Sequence, residues 1–117
     1  MNQLLNSISI NSEDLEQALR DRSLGKINFV LIDVREPMEY KMGHVKGVDL
    51  LRPTSEFQNW VKAIIDEYKE EIIILTCRTG SRSGRLQRVM KSQEHAHVIN
   101  HAGGIYSYRG EIAKGSY

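Results

Sequence analysis

Two short, unbroken apolar runs set most of what this chain can become: Phe29-Val30-Leu31-Ile32 and Ile72-Ile73-Ile74-Leu75-Thr76. A strand with one wet face alternates apolar and polar residues, and these runs do not alternate. They predict strands buried on both faces, which requires helices on each side of the sheet. Helical patterns stand where that demands them. Asn11 is a good N-cap, with Glu13 and Asp14 in the first turn and Leu15, Ala18 and Leu19 on one face. Pro37 suits the first turn of a short helix through Glu39 and Tyr40. Ser55 and Gln58 have capping-box spacing, and Phe57, Trp60, Val61, Ile64, Ile65 and Tyr68 follow at helical intervals. Weaker strands are expected at Ile8-Ser9-Ile10 and His97 to Asn100, and extended structure from Gly43 to Val48. Apolar runs alternating with helices predict an α/β fold of parallel strands joined by helical crossovers.

At 117 residues the chain reads as one domain, 1–117. Such a length buries roughly 65% of its unfolded surface. A formal net charge of +1 gives no support to general binding of nucleic acid or acidic membrane. No run approaches the ~18 apolar residues of a membrane span. Met1-Asn2-Gln3-Leu4-Leu5-Asn6 has neither a basic n-region nor a long apolar h-region. One cysteine fits a reducing compartment and excludes an internal disulfide framework. The expected location is cytoplasmic.

That cysteine, Cys77, closes the second apolar run and opens the loop Cys77-Arg78-Thr79-Gly80-Ser81-Arg82-Ser83, with a helical stretch from Gly84 to Lys91 after it. In parallel sheets, ligands bind at the carboxyl ends of strands, and Cys77 stands at such an end. A strand, a Gly/Ser/Arg turn and a helix N-terminus gather backbone N–H groups around one point. A thiol there is activated as a thiolate by amide dipoles and by Arg78 and Arg82. Both arginines are expected to bind an anionic donor, whereas Arg85 and Arg88 read as ordinary exposed charges. Gly80 lets the loop amides converge, and Ser83 and Thr79 are donors or caps. Asp33, Arg35 and Glu39 read as a structural clasp in which Arg35 and Glu39, four residues apart, pair. His44 reads as a hydrogen-bonded structural histidine. A metal is not expected: His95, His97 and His101 have only Glu94 to complete a set.

Three blocks together give the chain a family likeness: Leu31-Ile32-Asp33-Val34-Arg35 with Glu39-Tyr40 and Gly43-His44-Val45-Lys46-Gly47; the Cys77 loop; and Gly103-Gly104. In this order and spacing, from about Ile8 to Arg109, the chain resembles single-domain rhodanese sulfurtransferases. Tyr108 stands where that family usually carries Trp. The resemblance implies a mostly parallel five-stranded sheet with helices on both faces. It also implies that Cys77 accepts a sulfane sulfur from thiosulfate, polysulfide or a persulfide. The sulfur then passes to a thiol or cyanide, with no cofactor. Arg78, Thr79, Gly80, Ser81, Arg82 and Ser83 are then the substrate-binding loop, Ser81 and Ser83 adding hydroxyl donors to the persulfide.

Two other functions compete. One is a persulfide carrier that docks to a sulfur-accepting protein and shows negligible free turnover. The other is a cysteine phosphatase or arsenate reductase, whose loops use Cys-x5-Arg to clamp a tetrahedral oxyanion. Here the arginine is Arg82, giving Cys-x4-Arg, and Ser83 holds the x5 position. The shorter loop makes a tighter cup, better suited to one sulfur atom.

Overall fold

The computed structural model describes residues 5, 7–93, 95 and 97–116. Five parallel strands form the main sheet in the order β1-β6-β5-β2-β4. They are β1 (Ser9–Ile10), β2 (Val30–Asp33), β4 (Leu50–Leu51), β5 (Ile73–Thr76) and β6 (Val98–His101). The helices are α1 (Ser12–Ser23), α2 (Pro37–Met42), α3 (Phe57–Glu67) and α4 (Ser81–Ser92). Two further strands, β3 (His44–Val45) and β7 (Ile112–Ala113), pair antiparallel outside the main sheet.

The apolar runs are buried as expected, because alternate residues enter different cores. Val30 and Ile32 of β2, with Ile73 and Leu75 of β5, meet Trp60, Val61 and Ile64 of α3 and Leu86 and Met90 of α4. Leu31 and Ile74 point the other way, toward Leu15 and Ala18 of α1. Two-residue periodicity thus serves both faces at once. Burying one such aliphatic side chain contributes about 1.5–3 kcal/mol, so a polar substitution at Leu31 or Ile74 breaks the sheet–α1 layer.

Local signals held unevenly. Asn11 caps α1, its Oδ1 accepting from the Asp14 amide at 2.7 Å. The capping box expected from Ser55 and Gln58 does not form. A 3-10 turn over Thr54–Glu56 takes its place, and the Ser55 hydroxyl donates to Glu36 at 2.6 Å. The box appears one helix earlier, between Glu36 and Glu39 at the start of α2. The stretch Gly43 to Val48 was expected to be extended, but only His44–Val45 is strand, and it lies outside the parallel sheet. The fifth parallel strand is β4, paired with Ile32 and Asp33. Its two residues are too few to show a period. Among the described residues, no helix is long and apolar enough to cross a membrane.

Candidate active site

The carboxyl ends of β2, β5 and β6 come together around Cys77, which follows the last residue of β5 and is 1% exposed. From there the chain reverses into α4 within three residues. Gly80 makes the turn at φ +95°, in the left-handed region, and a Cβ there would collide with the Ala102 carbonyl. The turn places the Gly80 amide 3.1 Å from Cys77 Sγ, the Ser83 amide at 3.4 Å and the Ser83 hydroxyl at 3.3 Å. Burial is the largest single influence on the thiol and pushes its pKa up. The Ser83 hydroxyl and the Ser83, Gly80 and Thr79 amides together outweigh it, holding Cys77 below its ordinary value. The leading stabilisers are thus hydrogen-bond donors of the loop itself, and the Arg82 guanidinium adds a smaller coulombic attraction to the sulfur.

Arg82 is not a free anion-binding group. Its two terminal nitrogens donate to the Glu39 carboxylate, each at 2.8 Å, tying α4 to α2. This fork, the largest influence, lowers Glu39 to about 2 against burial, which acts the other way. The expected Arg35–Glu39 pair is absent for the same reason: Arg82 occupies Glu39. Arg35 turns back instead to Asp33, 2.9 Å away and 1% exposed, and also donates to Gly43 O at 2.6 Å. The Arg82–Glu39 pair thus holds α2 itself, and Arg35 holds its C-cap, Gly43. His44 lies under α2, its Nδ1–H donating to Tyr40 O at 2.8 Å and its ring stacked on Tyr40 at 3.7 Å. Arg78 and Thr79 are exposed at the rim, and Arg78 makes no ion pair among the described residues. Ser81, also exposed, opens α4, whereas Ser83 is fully buried and caps nothing.

These placements separate the two arginines. Arg78→Ala is expected to raise the KM for an anionic donor, leave thermal stability unchanged and lose its effect at high salt. Arg82→Ala is expected to destabilise the fold. The Glu39 contribution is present above about pH 4.5 and lost as pH falls toward about 2. A melt series from pH 5 to 2 should therefore show wild type and Arg82→Ala converging at the acid end.

Sequence reasoning assigned no site role to four residues beside the loop: Thr76, His101, Ser12 and Asn100. Buried Thr76 and His101 and half-buried Ser12 form a chain, in which His101 Nδ1 meets Thr76 Oγ1 and Nε2 meets Ser12 Oγ, both at 2.8 Å. Tyr108, where Trp was the family expectation, stands edge-on to the His101 ring at 6.2 Å. Burial lowers His101 from 6.5 to about 4. The unfolded chain therefore binds the extra proton first, and stability should fall as pH drops from about 6.5 to about 4. The maximal loss is on the order of 3 kcal/mol. A urea titration at each pH would measure it, and His101→Asn should flatten the dependence. His95 Nε2–H donates to Tyr68 O at 2.8 Å, away from His101. Glu94 lies outside the described residues. The missed asparagine, Asn100 on β6, contacts Ser83 and Gly80.

A cleft of about 820 Å³ opens between α1 and residues 108–111, and no residue of the Cys77 loop lines it. The buried Cys77 sulfur lies apart from this cleft, within its own loop.

The family described as Rhodanese-like domain matches residues 12–111. The chain is 31% identical over 97 residues, 80% of its length, to a tRNA uridine(34) hydroxylase of Wigglesworthia glossinidia brevipalpis. It spans about 30% of that relative. A rhodanese-like domain protein from Staphylococcus aureus shares the fold with a TM-score of 0.74 at 21% identity, covering 94% of this chain and all of that one. A structure described as rhodanese with anions from E. coli superposes with a TM-score of 0.62 at 26% identity, over 75% of this chain and all of its own.

Proposed function

The chain belongs to the rhodanese-like domain family, and we propose that it is a sulfurtransferase using Cys77 as its nucleophile. The observation that carries this reading is the convergence of the Gly80 and Ser83 amides and the Ser83 hydroxyl on a buried sulfur. With thiosulfate, the Cys77 thiolate attacks the outer sulfur, a new S–S bond forms, and sulfite leaves with the electron pair of the broken bond. The resulting Cys77 persulfide then gives its outer sulfur to cyanide or a thiolate, and the Cys77 thiolate returns. No base is needed once the thiol is ionised, which suits the position of His44 under α2. Arg78 is the rim cation available to an anionic donor.

The cup supports sulfur over a tetrahedral oxyanion. The position where Cys-x5-Arg enzymes carry their clamp is Ser83, buried against the sulfur, and Arg82 is held by Glu39. The hydroxylase relatives share only about 30% of their length with this chain, so their reaction is not carried over.

Intact mass after brief exposure to thiosulfate or polysulfide tests the reading. One added sulfur atom should appear and be removed by cyanide, with thiocyanate released over many turnovers. Loading without turnover, until a protein acceptor is supplied, would identify a persulfide carrier instead. No loading by any sulfane donor, with hydrolysis of p-nitrophenyl phosphate, would replace sulfur transfer by oxyanion chemistry.

A further inference from the structure

The Ser83 hydroxyl has one proton and two acceptors. Its Oγ lies 2.6 Å from Asn100 Oδ1 and 3.3 Å from Cys77 Sγ. The orientation of the Asn100 amide is fixed by its other end: Nδ2 faces Gly80 O at 3.2 Å, and a carbonyl oxygen can only accept. Oδ1 must therefore face Ser83, where it can only accept as well. Gly84 makes room for this arrangement, since a Cβ on it would lie 3.1 Å from Asn100 Nδ2. An amide so held draws the hydroxyl proton away from the sulfur.

We propose that Asn100 is a positioning residue that competes with the Cys77 thiolate for the single Ser83 proton, and so sets the pH at which Cys77 ionises. In the thiol form, Ser83 donates to Asn100, and its lone pair faces the S–H group. Ionisation breaks the S–H bond and releases the proton to solvent. The Ser83 proton then either swings to the sulfur, leaving Asn100 Oδ1 without its donor, or stays and leaves the thiolate to the amides alone. Either way the thiolate is less stabilised than the donors around it would allow. Thiolate nucleophilicity falls as thiol pKa falls, so this restraint keeps the sulfur reactive. It rests on Cys77 being the working nucleophile.

The charged and titratable groups around the cluster come from several elements. Arg82 and Arg88 are on α4, Arg82 held by Glu39 of α2 and Arg88 reaching back beside Gly84; Asp33 at the end of β2 pairs with Arg35, Arg78 is on the loop, and His101 of β6 is tied to Thr76. Among the described residues, none of them hydrogen-bonds Ser83 or Asn100. Arg82 acts on the sulfur through charge and not through Ser83, so the competition for the Ser83 proton is between Asn100 and Cys77.

The rate of alkylation by iodoacetamide against pH, on the full chain without any sulfur donor, tests this. Asn100→Leu should move the midpoint down by about half to one pH unit, and Ser83→Ala should move it up by about as much. Gly80 O keeps its bond from the Gly84 amide in both variants. In the Ser83→Ala background, Asn100→Leu should leave the midpoint where it was. A midpoint unchanged or raised by Asn100→Leu alone, or moved equally in both backgrounds, overturns the proposal. Asn100→Val, a residue suited to a strand, replaces Leu if that variant lacks a cooperative melt. Failure of wild type to take up sulfur would remove the sulfurtransferase reading but leave the alkylation midpoints, and this test, intact.

Discussion

Cys77→Ser is expected to take up no sulfur from any sulfane donor and to lower thiosulfate:cyanide transfer by at least about a thousandfold. The substitution exchanges one atom at a site that is 1% exposed. The Gly80 and Ser83 amides can still donate to a hydroxyl oxygen, so the loop should close as before. Stability should change by only about 1 kcal/mol. What is lost is the anion. The cup moves a thiol below its ordinary pKa, but a serine hydroxyl remains protonated at any pH the fold survives, and oxygen does not exchange with sulfane sulfur. Intact mass and a thiocyanate assay on the same preparation separate the outcomes. Sulfur retained by Cys77→Ser would place the acceptor on another residue, and the loop geometry would then have no chemical role.

Gly80→Ala should cost nearly as much, through the backbone instead of the sulfur. At φ +95° the alanine is strained, and its Cβ would collide with the Ala102 carbonyl after β6, which is not a flexible side chain able to yield. The loop must shift. Gly80 supplies the shortest amide contact to Sγ, at 3.1 Å, and its carbonyl accepts from the Gly84 amide at 3.0 Å and from Asn100. A displacement of this one residue therefore loosens the thiol cup and the first turn of α4 together. The alkylation midpoint should rise toward the ordinary thiol value of about 8.5. Sulfur transfer should fall at least about a hundredfold, and unfolding free energy by about 2–4 kcal/mol. Gly25→Ala is the control, because Gly25 is also left-handed at φ +75° but has nothing within 4 Å of a Cβ. Its loss should be confined to the local backbone, about 1 kcal/mol, with the midpoint unmoved. Equal midpoints in the two variants would mean that the Gly80 amide does not stabilise the thiolate.

Much of the scaffold was readable one element at a time. Asn11 caps α1 because a side-chain oxygen at that position reaches an amide three residues on, whatever the rest of the fold does. The step pattern from Phe57 to Ile64 buries the same face that the sequence marks as apolar. The Ser55–Gln58 spacing failed because a cap also needs the helix to begin there, and the Pro53–Thr54 segment enters through a 3-10 turn bonded to Val34. Arg35–Glu39 failed because a spacing of four only offers a partner. Asp33 and Arg82 offered better ones.

The sequence by itself determined that the chain forms buried parallel strands between helices and that a lone thiol stands at a carboxyl end. Those outcomes depend on residue period and local backbone preference, which are written in consecutive residues. Only the tertiary structure decided what surrounds the thiol. Arg82 meets Glu39 across 43 residues, and Asn100 meets Ser83 across 17. Both contacts exist because β6 lies beside β5 and α2 beside α4. Such adjacency is set by how whole layers pack, so no spacing within either segment announces it.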